Sequence, residues 1–254
     1  MMLLVIKDLT KTYSRQQKTF EAVSHVGFSL QKGEMAVITG PSGCGKSTLF
    51  HLICGITHPD QGSIQLEKQE LVGLSNKELA KVRAQKISYI LQGNSLLPNF
   101  TVLENICLPH QLGGWQEDLK EKAMELLKEF GLENMAQEYP DNLSGGERRR
   151  LEITRALTAR PKFLLMDEPF ASLDFITRGE LQAELLDIQK ELQKTILLVT
   201  HQLDEALLLA QRIVVLHADS SVRVWELELP YPRDLTSPQL AALREEITAE
   251  CRKD

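Results

Sequence analysis

Met35-Ala-Val-Ile-Thr39 runs directly into Gly40-Pro41-Ser42-Gly43-Cys44-Gly45-Lys46-Ser47-Thr48, and this junction decides the fold. The apolar run reads as a buried strand, and the turn behind it fits GxxxxGK[ST], with a helical pattern resuming at once. Glycines at 40, 43 and 45 let the backbone curl until its N–H groups converge on an anion. The next helix turns its positive N-terminus toward the same point. Every residue from Gly40 to Thr48 is therefore a candidate phosphate contact. Lys46 offers a fixed cation to the β- and γ-phosphates of a nucleotide, Ser47 is placed to ligate magnesium, and Thr48 to reach the α-phosphate. Cys44, set among these N–H groups, is expected to favour its thiolate.

Outward from the junction, apolar runs at Leu3 to Ile6, Val26 to Leu30, Ile87 to Leu91, Phe163 to Met166, Ile196 to Thr200 and Ile213 to Leu216 also read as buried strands. Helical patterns alternate with the later ones, which predicts an α/β fold on a largely parallel sheet. The early runs, together with Gly62 to Leu66, predict an antiparallel flap. The stretch Ile176 to Leu192 has the spacing of a helix covering the sheet. Leu96 to Leu157 reads as mostly helical, with an amphipathic helix over Trp115 to Phe130 closed by Gly131, and is expected to form an inserted lobe spanning about 94–160. A turn-rich stretch from Leu229 to Pro238 precedes a helix over Gln239 to Arg252, giving a main domain over 1–228 and an appendage over 229–254.

Length and composition bound the alternatives. With 254 residues, 43% hydrophobic, the chain can bury one good core. Its 29 basic and 35 acidic residues leave a net charge of −6, which gives no general attraction to nucleic acid or anionic lipid. The opening apolar run, Met1 to Ile6, is shorter than a signal-peptide core and far shorter than a membrane span, so a cytosolic location is expected. Cys44, Cys54, Cys107 and Cys251 have neither CxxC spacing nor disulfide-scaffold density and read as free thiols.

A second constellation supplies chemistry. Phe163-Leu-Leu-Met-Asp167-Glu168 is an apolar strand ending in two acids, where Asp167 can hold magnesium through water and Glu168 can orient and deprotonate an attacking water. Leu143-Ser144-Gly145-Gly146-Glu147 comes about twenty residues ahead of that strand. It reads as a helix opening, with the helix running over Glu147 to Arg160 and its positive end turned to a phosphate.

The order of phosphate loop, Leu-Ser-Gly-Gly-Glu pentapeptide and acidic strand resembles the nucleotide-binding subunit of ABC transporters over essentially the whole chain. The resemblance implies a P-loop NTPase with an ABC-type antiparallel β flap and inserted helical subdomain, working with ATP and Mg2+. It further implies that Ser144, Gly145, Gly146 and Glu147 clamp ATP held on another subunit's phosphate loop, in a head-to-tail dimer. Tyr13 resembles the aromatic that stacks on adenine. Gln92 resembles the glutamine that touches magnesium and the attacking water; Asn94 and Asn99 compete for that place only if the alignment slips. Ser172-Leu173-Asp174 resembles the loop crossing the dimer interface. His201 resembles the histidine that contacts the γ-phosphate and positions the catalytic glutamate. Histidines 25, 51, 58, 110 and 217 match no motif and are read as structural. Glu147 stands where glutamine is frequent, and Arg148-Arg149-Arg150 is more charged than usual; both are expected to face away from the glycine turn, as a solvated or ion-paired surface.

Within the family, Pro169 to Asp174, Val199-Thr-His201 with Asp204 to Ala210, and the tail Leu229-Pro-Tyr-Pro-Arg-Asp234 resemble importers of the nitrate, sulfonate and taurine group. Leu96 to Pro109 resembles the lipoprotein-releasing branch instead. The expected partners are a second nucleotide-binding subunit, membrane permease subunits and an extracytoplasmic solute-binding protein, with the chain peripheral on the cytoplasmic face of the membrane. The contrasting class, ABC-type ATPases acting on nucleic acid or ribosomes, usually carries coiled coils, zinc modules or a second cassette, none of which is seen here.

Overall fold

A computed structural model describes residues 1–15, 18–93, 95–112 and 119–251. In chain order the elements are β1 (Met2–Arg15), β2 (Lys18–Gln31), β3 (Met35–Thr39), α1 (Lys46–Ile53), β4 (Gln61–Leu66), β5 (Gln69–Glu70), α2 (Asn76–Lys86) and β6 (Ile87–Ile90). They continue with α3 (Val102–Leu112), α4 (Leu119–Glu129), α5 (Gly145–Thr158), β7 (Phe163–Asp167), α6 (Phe175–Leu192), β8 (Thr195–Val199), α7 (Leu203–Leu209), β9 (Arg212–Leu216), β10 (Val222–Glu226) and α8 (Pro238–Cys251).

Two sheets result. The flap is antiparallel in the order β2-β1-β4-β5; the larger sheet runs β10-β9-β3-β8-β7-β6, parallel except for β10 at its edge. The central strands are apolar throughout because both of their faces are covered. In β3, Ala36 and Ile38 enter the core shared with the flap, α1 and α2, whereas Met35 and Val37 enter the core shared with α5, α6, α7 and α8. β7 divides the same way, Phe163 and Leu165 to one side and Leu164 and Met166 to the other. A period of two on a doubly covered strand thus assigns every side chain to one of two cores. A third cluster fills the helical lobe, where Val102, Ile106, Leu127 and Leu151 meet. Helix α5 belongs to both, since Leu151 points into the lobe and Ile153 and Leu157 into the sheet-side core.

Several expectations are revised. The flap strands are much longer than the short runs predicted, because their outer halves pair outside the apolar core. The signature helix starts at Gly145, ahead of the predicted Glu147, because Ser144 caps it. Of the predicted Trp115 to Phe130 helix, α4 is seen over Leu119–Glu129 and residues 115–118 lie outside the described residues, as do Asn94, the side chain of His110 and Arg252. Helix α2 shows little apolar periodicity, since it buries only Leu79 and Val82. Its signal was Ser75-Asn-Lys-Glu78, a capping box in which each side chain bonds the other residue's backbone N–H. Edge strand β10, which has no buried residue, lacks an apolar signal for a related reason.

The C-terminal stretch fastens onto the sheet domain. Arg233 donates to the carbonyls of Leu207, Ala210 and Leu227, the Tyr231 hydroxyl donates to Leu209 O at 2.7 Å, and α8 buries Leu240 and Ile247. The bonds to Leu207, Leu209 and Ala210 satisfy carbonyls at the end of α7 that have no partner within the helix.

Candidate functional site

Glycine is required where the phosphate loop meets its surroundings. A Cβ on Gly40 (φ 149°) would sit 2.1 Å from the carbonyl oxygen of Leu216, and one on Gly45 (φ 96°) would sit 2.0 Å from that of Ala22. The loop is therefore clamped between β9 and β2. Lys46 Nζ donates to the carbonyls of Gly40 at 2.8 Å and Pro41 at 2.7 Å. No carboxylate pairs with it among the described residues, so the loop holds a positive charge ready for an anion. Ser47 is exposed at the start of α1 and Thr48 is half-buried behind it.

Cys44 departs from the expectation. Its thiol is buried at 4% exposure, and burial pushes its pKa up, with Lys46 opposing only in part. Desolvation of the thiolate outweighs the nearby cation and N–H groups.

The acids at the end of β7 differ sharply in surroundings. Asp167 is buried, and burial, followed by the Glu168 charge, pushes its carboxyl above the usual range; a bound cation would reverse that preference. Glu168 lies just beyond the strand with φ 44°, a left-handed conformation uncommon for a side-chain-bearing residue. That backbone is held by its N–H donating to Val199 O at 2.9 Å and by Arg149 Nη2 donating to its carbonyl at 3.3 Å. The side chain is held on both oxygens: Gln92 Nε2 donates to Oε2 at 2.9 Å, and His201 Nδ1 lies 3.0 Å from Oε1. Facing a carboxylate, Nδ1 acts as the donor, which leaves Nε2 as the ring's other polar atom. Gln92, Glu168 and His201, distant in sequence, are thus one hydrogen-bonded group.

Gln92, Glu168, Gly145, Arg148 and Ser172 line one cleft of about 420 Å³. Ser144 caps α5 and makes a capping box with Glu147, whose carboxylate accepts the Ser144 N–H at 2.7 Å. Glu147 consequently faces back to the glycine turn, not away from it as the sequence suggested, and that N–H lowers its pKa. The three arginines also separate. Arg150 pairs with Glu184 at 2.8 Å, Arg148 donates to Leu143 O at 2.9 Å, and Arg149 is buried against Glu152, the Pro169 carbonyl and the Glu168 carbonyl. Sequence reasoning missed Arg149 as a support of Glu168, because nothing in an arginine run distinguishes a buried member.

Gly146 packs where a Cβ would come 2.6 Å from Thr177 Cγ2, so the starts of α5 and α6 abut. Asp174 caps α6, accepting from the N–H groups of Ile176 and Thr177 and the Thr177 hydroxyl; those bonds, led by the hydroxyl, hold its pKa low. Tyr13 stands on the flap opposite Phe20, with ring centroids 6.1 Å apart and Lys11 Nζ 5.6 Å from its ring. Among the described residues, no hydrogen bond links Tyr13, Ser144 or Asp174 to the phosphate loop or to Glu168.

The donor set fits a magnesium nucleotide. Ser47, Gln92 and Asp167 present oxygen ligands, and no three His, Cys, Asp or Glu side chains among the described residues form a metal site alone. Magnesium, which keeps most of its waters and takes few protein ligands, suits such a sparse set in company with phosphates.

A strand–loop–helix anion cradle, an acid-tipped neighbouring strand, an antiparallel flap and a helical lobe together define an ATP-binding cassette. The chain belongs to the ABC transporter family: the family model so described matches residues 23–171. The trimethylamine N-oxide transport system ATP-binding protein of Pelagibacter ubique is 43% identical over 206 residues, covering 78% of this chain and 60% of that protein. The choline transport ATP-binding protein of Bacillus subtilis is 42% identical over 225 residues, covering 87% and 57%. The chain thus spans less than two thirds of the length of these relatives. The aliphatic sulfonates import ATP-binding protein of Bacillus cereus is 36% identical over 248 residues, covering 97% and 94%. In three dimensions the chain is similar to an ATP-binding cassette in a dimeric post-hydrolysis state bound to ADP and Pi, with TM-score 0.81, 32% identity and coverage of 90% of this chain and 100% of that one.

Proposed function

We propose that this chain is the ATP-hydrolysing subunit of a membrane importer and that Glu168 is its catalytic base. The observation that carries this reading is the fixation of Glu168 by Gln92 and His201 at the tip of the strand beside the phosphate loop. Each carboxylate oxygen already accepts one bond and has a further lone pair, so the group can also take a hydrogen bond from water. Magnesium, when bound, neutralises charge on the phosphoryl oxygens. With the nucleotide bound, Lys46 would leave its loop carbonyls for the β- and γ-phosphates, Ser47 and Asp167 would supply oxygen to the cation, and Tyr13 would cover the adenine; Glu168 would draw the proton from the water whose oxygen bonds to the γ-phosphorus as the bond to the ADP oxygen breaks, with His201 and Gln92 holding its orientation.

Two copies complete the site in this reading. Next to the Ser144 turn, where Gly146 packs on Thr177, Phe175 and Ile176 at the start of α6 are 88% and 71% exposed, an apolar tip suited to a second copy. The permease is assigned to the groove between sheet and lobe, lined by Arg83, Tyr89, Leu108 and Arg155, where the Tyr89 hydroxyl is buried without a partner among the described residues. Docking there places the chain at the inner face of a membrane; no helix among the described residues is long and apolar enough to cross one. A solute-binding protein completes the importer outside. For cargo, the near-complete match to the sulfonate relative, which includes the C-terminal stretch, supports the nitrate, sulfonate and taurine group. The higher identity of the cassette to trimethylamine N-oxide and choline relatives favours a second reading, uptake of small quaternary amines or amine oxides.

The test of the catalytic reading is phosphate release by the purified chain. Glu168→Gln is expected to lose about 10²–10⁴-fold in rate while retaining ATP affinity; a variant that turns over normally refutes the assignment. For cargo, uptake of labelled taurine and labelled choline is compared in cells with and without the gene. Loss of taurine uptake alone supports the first reading, and loss of choline uptake alone the second.

A further inference from the structure

His201 is 56% exposed at its side chain, so packing does little to orient its ring and the backbone on either side must do so. Both neighbours are tied down. The Thr200 N–H donates to Ile38 O at 3.1 Å, on the strand that runs into the phosphate loop. The Thr200 hydroxyl donates to Glu205 Oε2 at 2.6 Å and accepts the Gln202 N–H at 3.1 Å. Gln202 Oε1 accepts from Arg178 Nη1 at 2.7 Å, and Arg178 Nη2 donates to Leu173 O at 2.9 Å.

Glu205 marks this as more than a helix start. It is 3% exposed, burial pushes its carboxyl above the usual range, and among the described residues neither its Oε1 nor Arg178 Nε has a hydrogen-bond partner. A short helix such as α7 gains the same N-terminal charge from an acid nearer the surface, and Asp204 beside it, 42% exposed and paired with Arg244, already supplies one. Burying a second carboxylate against a threonine hydroxyl costs desolvation that helix stability does not explain.

We propose that Arg178, Gln202, Thr200 and Glu205 are positioning residues that set His201 against Glu168. The Leu173–Arg178–Gln202 branch then ties the histidine turn to the Ser172-Leu173-Asp174 loop. A displacement of that loop is passed to His201 through two hydrogen bonds, so catalytic alignment follows the state of the face assigned to the second copy. The inference rests on the catalytic reading of Glu168 and His201.

The test uses the full chain and steady-state ATP hydrolysis. Arg178→Met and Gln202→Leu are each expected to lower kcat about tenfold with KM for ATP changed less than about twofold, since misplacement of a reacting group by ~1 Å costs up to ~10²-fold. The double variant is expected to be no worse than Arg178→Met alone, because that substitution already removes the Arg178–Gln202 bond together with the bond to Leu173 O. Gln202→Glu, which keeps an acceptor for Arg178, is expected to retain kcat within about twofold. In a His201→Ala background neither substitution should lower the rate further. Equal losses in that background would mark a merely structural role and overturn the proposal. Should Arg178→Met fail to fold, Gln202→Leu against Gln202→Glu decides alone. A Glu168-dependent rate indifferent to Arg178 and Gln202 brings down this inference only; a Glu168→Gln chain hydrolysing normally brings down the site reading with it.

Discussion

At the scale of single residues, charge and burial compete, and burial prevails at Cys44. Its thiol is held above the ordinary range although Lys46 lies beside it, so the reactive thiolate is scarce at neutral pH. Alkylation by a maleimide is therefore expected to be slower than at the half-buried Cys251, to accelerate as pH rises, and to be blocked by Mg-ATP; mass mapping of time points checks the order of modification. Faster labelling at Cys44 than at Cys251 would contradict the burial argument. Lys46 acts in the opposite sense. Its Nζ donates to loop carbonyls and to the Cys44 sulfur and pairs with no carboxylate among the described residues, and Lys46→Ala should abolish most ATP affinity without unfolding the chain, as equilibrium binding of a labelled nucleotide and a melting curve together would reveal. Glu147, the departure from the commoner glutamine, is chemically mild because either side chain completes a capping box. Glu147→Gln should leave hydrolysis within about twofold of the parent at neutral pH. Because the folded-state pKa of Glu147 is depressed, its charged cap stabilises the fold above the ordinary carboxylate pKa and loses that contribution as pH falls through the depressed value.

Among elements, α2 and α5 begin with the same device, Ser75 with Glu78 and Ser144 with Glu147, yet only the second faces the cleft. Ser75→Ala and Ser144→Ala should each destabilise by about 0.5–2 kcal/mol in denaturant titration, the usual cost of losing a cap. Turnover should fall only in Ser144→Ala. If both variants hydrolyse ATP equally well, the Ser144 turn is a cap and nothing more. The strands give a second contrast. Phe163 and Leu165 of β7 are fully buried on one face of the sheet while Asp167 ends it, so the element that builds the core also aims the acid. Phe163→Ala is expected to cost about 3–5 kcal/mol and to lower hydrolysis mainly by lowering the folded fraction, which a rate normalised to folded protein would show.

For the molecule as a whole, unhydrolysed ATP is expected to join two copies, since the Ser144 turn and the Phe175–Ile176 tip share an exposed face and the similar cassette structure is dimeric. Glu168→Gln with ATP should run as a dimer on a sizing column and return to monomer with ADP, and Ser144→Arg added to it should abolish the dimer. A variant that binds ATP tightly but stays monomeric up to about 100 μM would argue against self-pairing of the isolated chain. How much of this was legible beforehand follows from how far apart the interacting residues lie. The phosphate loop, the acidic strand tip and the signature turn are local: glycine conformation, strand apolarity and helix opening are properties of consecutive residues, so the sequence alone determined the cradle, the two acids and the α/β alternation that carries them. Helix α2 and strand β10 escaped because a half-covered element shows little apolar period, although Ser75 and Glu78 had left a local mark. What only the tertiary structure decided was pairing across the chain: that Gln92 and His201 close on Glu168, that Arg149 is buried beneath it while Arg150 reaches Glu184, that Cys44 is desolvated, and that Arg178 joins Leu173 to Gln202. A side chain's charge, exposure and partners are fixed by residues tens to more than a hundred positions away, and no local pattern records which of them packing brings within three ångströms.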